Sequence, residues 1–482
     1  MPGRRTLAAL TAGVVLLGGA GAYATADVYD LVPGVLTLDR DIDPDTLPEV
    51  EPEPEVTGLV ELPTAVRAVP LEAVDAEAPL PDQAALAAAI DAELARPGWY
   101  GAGAVVVADG LTGQVLYERE PDRPVTPAST QKLLSGVAVL TTLDPHSRLT
   151  TSAVRTGPDS IALVAGGDTM LNPDAGDPTS VEGYAGLADL AAQVVARLAE
   201  DPDRPAAVTV SIDMSYAAGP RYSPHWNMED VAMGYTQGVT MVGLASQRPR
   251  PFFPSPPEPE KEVVAAFAAA LTEAGLPATV ADEPVLTGAV SGRRLGAVRS
   301  ATVAELTALA LDDSDNALTE ALARQASASA GGPTDFEGVA QFILDAVTEL
   351  GIDTSGALLT DASGMGYEQL LPARVISQVL TLATSGADPR LAPLVAELPV
   401  SGLTGTLNDR FLADSTRSAA GIPRAKTGTI NASIALAGTT VNRDGRLLTF
   451  AAIAYAVPRE GRLEARLALD RLVAVLTECG CA

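Results

Sequence analysis

Apolar positions divide the chain into unlike stretches. Behind Arg4 and Arg5, residues 7–24 are almost continuously apolar, and Ala24-Thr25-Ala26 offers a small-residue cleavage site before Asp27. The pattern predicts an export signal over residues 1–26, either cleaved or, because the run is about long enough to span a bilayer, retained as an anchor. In both cases the body is expected outside the cytoplasmic membrane, in the cell envelope, secreted or anchored to that membrane. From Asp39 to about Pro81 apolar periodicity gives way to acid and proline, as in Glu49-Val50-Glu51-Pro52-Glu53-Pro54-Glu55. Like charges repel and proline stiffens, so residues 27–82 are expected to form an extended acidic tether.

Ordered patterning begins near Gln83. Residues 85–94 read as a helix, and 104–107 with 115–117 as a hairpin around Asp109-Gly110. A helix is predicted to start at Thr126, with Pro127 at its first position. Between about 150 and 300 short strands and helices mix; 184–198 is the clearest helix, and proline-dense 249–259 must be loop. Helices dominate from Ala301 to about Ala396. Two apolar strands, 434–441 and 447–454, precede a closing helix over about 463–476. No internal repeat is found.

Charge removes one class of partner. At a formal net charge of −29, a nucleic-acid polyanion would be repelled rather than steered in. Cys479 and Cys481, in a Cys-Gly-Cys tail, would close only a strained ring and cannot alone build a structural zinc site. His146 and His225 lie far apart without metal-ligand spacing, and no G-x-S-x-G turn accompanies either. Neither a metal nor a cofactor is expected.

The chemistry-bearing residues fall in three segments. Ser129-Thr130-Gln131-Lys132 would place a hydroxyl and an amine on one face of a helix, in a first turn whose free N–H groups favour negative charge. Ser314-Asp315-Asn316 follows the helical stretch 303–311. Lys426-Thr427-Gly428-Thr429 precedes an apolar strand; if extended, Thr427 and Thr429 share a face, and Gly428 leaves room for a ligand backbone. Lysine usage sharpens the reading. Of 32 basic residues only Lys132, Lys261 and Lys426 are lysine. Arginine can replace lysine on most surfaces but cannot give up its proton to act as a base. Two of the three lysines thus stand where an amine has a chemical task; Lys261, between Glu260 and Glu262, reads as surface charge.

S-x-x-K, S-x-N and K-T-G in this order resemble the penicillin-binding proteins and serine β-lactamases. The long gap from Lys132 to Ser314, with Gly166-Gly167-Asp168, Asp361-Ala362-Ser363-Gly364, Leu398-Pro399-Val400-Ser401-Gly402 and Gly405-Thr406-Leu407, is similar to the class C low-molecular-mass penicillin-binding proteins, the D-alanyl-D-alanine carboxypeptidase/endopeptidase family. Met365-Gly366-Tyr367 departs from the family's Ser-Arg-like pair. The resemblance covers about residues 83–476. It implies an α+β fold of the serine β-lactamase/penicillin-binding transpeptidase type, a central antiparallel sheet with flanking helices and an all-helical subdomain. The catalytic domain would be discontinuous, 83–150 and 301–478, with a mixed α/β domain inserted at 151–300.

The resemblance also implies roles. Ser129 would attack the penultimate D-alanine carbonyl of a peptidoglycan stem peptide, or a β-lactam antibiotic, to form an acyl-enzyme. Lys132 would be the base, kept neutral with help from Lys426, and Ser314 a proton relay. Asn316 would hold the substrate amide. Lys426, Thr427 and Thr429 would bind the terminal carboxylate, and the Ser129 and Thr429 N–H groups would form the oxyanion hole. Asp168 would read a side-chain amine or simply shape a turn; Asp315 would fix its loop, and Asp361 and Ser363 build a turn. A serine β-lactamase is the nearest rival, but no E-x-x-x-N loop occurs at comparable spacing. A silent wall-binding module would be expected to have lost Ser129, Lys132, Asn316 or Lys426. An endopeptidase would use the same site, so the motifs do not separate it from a carboxypeptidase.

Overall fold

A computed structural model describes residues 76–480. The predicted export signal, nearly all of the tether and Cys481 lie outside the described residues, among which no helix is long and apolar enough to cross a membrane.

Along the chain come α1 (Gln83–Leu94), β1 (Gly103–Asp109), β2 (Val115–Arg119) and α2 (Lys132–Thr142), then β3 (Arg148–Arg155), β4 (Ser160–Val164), α3 (Leu187–Ala199) and β5 (Val208–Asp213). Next are α4 (Pro259–Glu273), β6 (Ala278–Leu286), β7 (Arg293–Thr302), α5 (Val303–Asp312), α6 (Asn316–Ser329), α7 (Phe336–Glu349) and α8 (Ala373–Thr384). The chain closes with β8 (Arg424–Ile430), β9 (Ser433–Val441), β10 (Leu447–Ala454) and α9 (Arg462–Glu478).

Two five-stranded sheets result. The first, β2-β1-β10-β9-β8, is antiparallel throughout and joins strands from both ends of the described chain. Successive strand residues face opposite sides. Ala104, Val106, Ala435, Ala437, Ala451 and Ile453 face one side, where α8 lies on the strands and α2, α5, α6 and α7 complete the same core. Val105, Val107, Leu436, Leu448, Phe450 and Ala452 pack on the other against α1 and α9. Both faces are covered, which is why β1, β9 and β10 read as nearly unbroken apolar runs.

The second sheet, β6-β5-β4-β3-β7, is drawn wholly from Arg148–Thr302 and is mixed. The pairs β4–β5 and β5–β6 are parallel, each bridged by a crossover helix, α3 and α4. Its core of Ile161, Leu163, Val210 and Ile212 is separate from the first two.

Two predicted helix starts move. The helix expected at Thr126 begins instead with a 3₁₀ turn, Ala128–Gln131, before α2. Ala128 has φ +48°, a left-handed conformation that cannot continue a right-handed helix from Thr126. The helix expected from Tyr184 starts at Leu187, after a non-helical Gly186 N-cap.

Candidate active site

The 3₁₀ turn keeps what the S-x-x-K spacing promised by a different route, because residues three apart eclipse in a 3₁₀ helix. Ser129 is half-buried, Lys132 fully buried, and Lys132 Nζ lies 3.0 Å from Ser129 Oγ. The same amine donates to Asn316 Oδ1 at 2.6 Å and to the Ser363 carbonyl at 2.7 Å. Burial pushes the amine down to about 8, against the pull of the carboxylates of Asp361, Glu320 and Asp315. Desolvation is the largest cause that favours the neutral base.

Asn316 is the first residue of α6, whose N-cap Asp315 accepts from Leu318 N at 2.9 Å. Ser314, at φ +58°, makes the turn out of α5. The cleft, about 590 Å³, is lined by Ser129, Ser314, Asn316, Thr427 and Thr429 together with Tyr235, Arg248 and Thr406. All three motifs therefore meet in one depression.

The third motif is itself a strand rather than a prelude to one. Thr427 and Thr429 share the cleft face of β8, and Thr427 Oγ1 donates to Thr406 Oγ1 at 2.9 Å. Lys426 points the other way and is fully buried; its amine donates to the Thr427 carbonyl at 3.1 Å. Burial, then repulsion from Lys132, holds the Lys426 amine well below the ordinary lysine range. A Cβ on Gly428 would lie 3.0 Å from Pro127 O, 3.1 Å from Ala128 Cβ and 3.2 Å from Ser129 N. The space expected to admit a ligand backbone is thus filled by the turn carrying Ser129. Glycine here seats the nucleophile against β8.

Asp168 does not join the cleft lining. It is buried, its Oδ1 accepts from Met170 N at 2.8 Å, and burial pushes it up to about 7. The loop 361–366 backs the site. Asp361 accepts from Gly364 N at 2.8 Å, Gly366 N at 2.6 Å, Gln369 Nε2 at 2.8 Å and Trp226 Nε1 at 2.8 Å. Gly364 has φ +81°, and a Cβ there would sit 2.1 Å from Ala128 O.

Sequence reasoning missed four contributors. Glu320 Oε1 accepts from Ala362 N at 3.0 Å and Ser363 N at 2.8 Å, fixing the carbonyl that Lys132 uses. Burial, then the Asp361 carboxylate, pushes Glu320 up to about 8. Its signal was present, since it lies four residues after Asn316 on one helix face. Trp226, Tyr235 and Arg248 carried none, because only folding brings residues 226–248 here. The Tyr235 carbonyl accepts from Asn316 Nδ2 at 2.7 Å, and Arg248 Nε donates to Asp315 Oδ2 at 2.9 Å while also pairing with Asp313 and Glu182. Lys261 pairs with Glu258 at the surface, as a solvated charge should.

Comparison with known proteins places this geometry. The chain is 36% identical over 413 residues to carboxypeptidase DacB of Mycolicibacterium smegmatis, covering 85% of this chain and 87% of that protein. It is 26% identical over 425 residues to a D-alanyl-D-alanine carboxypeptidase of Actinomadura sp. strain R39, covering 74% and 79%. The crystal structure of penicillin binding protein 4 (dacB) from Haemophilus influenzae superposes with TM-score 0.65 at 15% identity, covering 80% of this chain and 98% of that one. That likeness shows the penicillin-binding α+β fold. The profile of the D-Ala-D-Ala carboxypeptidase 3 (S13) family matches residues 86–248 and 243–476, and the chain belongs to that family.

Proposed function

We propose that the chain is an exported serine D-alanyl-D-alanine carboxypeptidase that trims peptidoglycan stem peptides through an acyl-enzyme on Ser129 and is inhibited by β-lactams that acylate the same residue. One observation carries the assignment: the buried Lys132 amine lies 3.0 Å from Ser129 Oγ, and its other two contacts are pure acceptors. A neutral amine has two hydrogens and one lone pair. With both hydrogens given to Asn316 Oδ1 and the Ser363 carbonyl, the lone pair is left for the Ser129 hydroxyl proton.

Ser129 Oγ then attacks the penultimate D-alanine carbonyl as its proton passes to Lys132, and the terminal D-alanine leaves with a proton relayed through Ser314. The backbone N–H groups of Ser129 and Thr429 form the oxyanion hole, worth about 3–4 kcal/mol per donor. Asn316 orients the substrate amide. Thr427 and Thr429 hold the terminal carboxylate directly, and Lys426 supports it from beneath, where an arriving anion would favour its charged form. Water discharges the acyl-enzyme. Gly428 serves by letting β8 approach Ser129, and Asp168 is assigned no contact with substrate. The catalytic domain is assigned to 83–150 and 301–478, with 151–300 inserted; the second sheet, drawn from Arg148–Thr302 alone, supports that partition. Export rests on the sequence of residues 1–26.

The test is incubation with a D-Ala-D-Ala-ended peptide, with products resolved by mass, beside labelling by a fluorescent penicillin. Wild type should release one D-alanine and label covalently, and Ser129→Ala should do neither. Equal labelling of the two proteins would overturn the assignment. Cross-linked muropeptides in the same assay separate carboxypeptidase from endopeptidase action.

A further inference from the structure

At the rim of the cleft stands a turn that the mechanism does not use. Arg250 and Phe253 exchange backbone hydrogen bonds of 3.0 and 2.7 Å, closing a two-residue hairpin with Pro251 and Phe252 at its corners. Phe252 has φ +71°. A proline followed by a positive φ is the type II arrangement, whose second corner ordinarily falls to glycine because a bulky side chain is strained there. Yet the ring placed there is 70% exposed, and that of Phe253 73%. Two adjacent phenylalanines, turned to water at a strained corner, contribute nothing to a core. Strain of this kind is retained where a side chain must be presented.

The turn is tied to the catalytic groups. Phe252 N donates to the Met233 carbonyl at 2.7 Å. Gly234 lets the two segments touch, since a Cβ there would sit 2.1 Å from Arg250 O. The next residue, Tyr235, is half exposed, lines the cleft, and accepts from Asn316 through its carbonyl. Gly234, Arg250 and Pro251 line the same cleft, so the rings stand where the cleft opens.

We propose that Phe252 and Phe253 form a platform for the glycan strand to which the stem peptide is attached, so that the enzyme prefers polymeric wall over free peptide. The proposal rests on the carboxypeptidase reading of the cleft. The apolar C–H faces of a sugar ring stack on flat aromatic rings, and Pro249, Pro251 and Pro254 hold the turn rigid, so little freedom is lost on binding. Charge favours a neutral sugar over an anionic lipid surface. The chain as a whole carries a net −29, and on the cleft lining the carboxylates of Glu182, Asp313 and Asp315 outnumber the cations Arg248, which pairs with all three, and Arg250.

The experiment compares wild type with Phe252→Gly, Phe253→Ser and the double variant on three substrates: a free D-Ala-D-Ala-ended stem peptide, the peptide on a disaccharide, and uncross-linked glycan polymer. Pelleting with insoluble peptidoglycan gives a readout independent of turnover. The double variant should lose about tenfold in kcat/KM on polymer and lose pelleting, while free-peptide turnover and penicillin labelling stay within about twofold. Phe252→Gly should leave Tm unchanged or raise it. Unchanged polymer turnover, or an equal loss on free peptide, overturns the platform. Pelleting of wild type, but not the variant, with phosphatidylglycerol vesicles, alongside unchanged polymer turnover, would make the turn a membrane element and also overturn it. A wild type that neither labels nor trims free peptide refutes the carboxypeptidase reading instead, and pelleting still tests the turn.

Discussion

The strongest quantitative consequence of the site concerns pH. An ordinary lysine near 10.5 has about one neutral amine in 3,000 at pH 7, whereas Lys132 at about 8 has about one in ten. Below about pH 8 the penicillin acylation rate constant should therefore rise close to tenfold per pH unit, then level off above it. Lys132→Arg, which keeps a charge but cannot become neutral, should lose at least about a thousandfold at every pH. The same shift enters stability. Because the folded pKa lies below the unfolded one, the unfolded chain holds the extra proton between about pH 8 and 10.5, and stability from this group rises with pH across that window. Below pH 8 the full burden is borne. At about 1.4 kcal/mol per pH unit it comes to about 3 kcal/mol. The assay is stopped-flow labelling with a fluorescent penicillin from pH 6 to 10. A flat profile, or an acid limb centred near 10, would refute burial as the source of the base.

Three further outcomes follow from single contacts. Glu320→Gln keeps an acceptor for the Ala362 and Ser363 N–H groups; because burial pushes Glu320 up to about 8, the side chain is already mostly uncharged below pH 8, so the acid limb of labelling should stay within about half a pH unit of wild type, and a limb displaced by a full unit or more would show that Glu320 is charged beside Lys132. Gly364→Ala meets both a left-handed φ and the Ala128 carbonyl, so about 2–5 kcal/mol of stability should be lost and labelling slowed, as read by denaturant unfolding and labelling rate. For Asp168 the folded pKa of about 7 exceeds the ordinary 3.8, so the folded state holds the extra proton and stability falls as pH rises between them, by about 4 kcal/mol. Asp168→Asn should flatten that slope in unfolding at pH 4, 6 and 8, and an unaltered slope would show that the carboxyl is not buried as described.

Local chemistry was legible in the sequence wherever a residue type has few substitutes. Two of only three lysines in an arginine-using chain marked the amines, and the apolar runs of β9 and β10 marked the sheet buried on both faces. Features created by close approach were not legible. The backbone reversal at Ala128 and the role of Gly428 depend on β8 lying against the Ser129 turn. That contact joins residues about 300 positions apart, which no periodicity encodes. Asp168 is a case where the motif left two readings, an amine contact or a turn, and only packing separates them: the carboxyl is buried away from the cleft lining and accepts from Met170 N.

Asn316 shows why residues 226–248 belong to the site. Its amide is held from both ends, with Oδ1 receiving the Lys132 amine and Nδ2 donating to the Tyr235 carbonyl. Rotating the amide by half a turn would set N–H against amine hydrogens and oxygen against a carbonyl, so only one orientation is satisfied. An aspartate would fail twice, repelled by the Tyr235 carbonyl and drawing a proton onto Lys132. Arg248 grips the neighbouring Asp315, and Trp226 grips Asp361 behind Ser363. Residues 226–248 thus fix the geometry of two segments that supply the acceptors of Lys132. In this architecture the orientation of the base depends on residues 226–248, and the tyrosine that locks Asn316 is bolted through Gly234 to the turn that offers its aromatic rings to solvent.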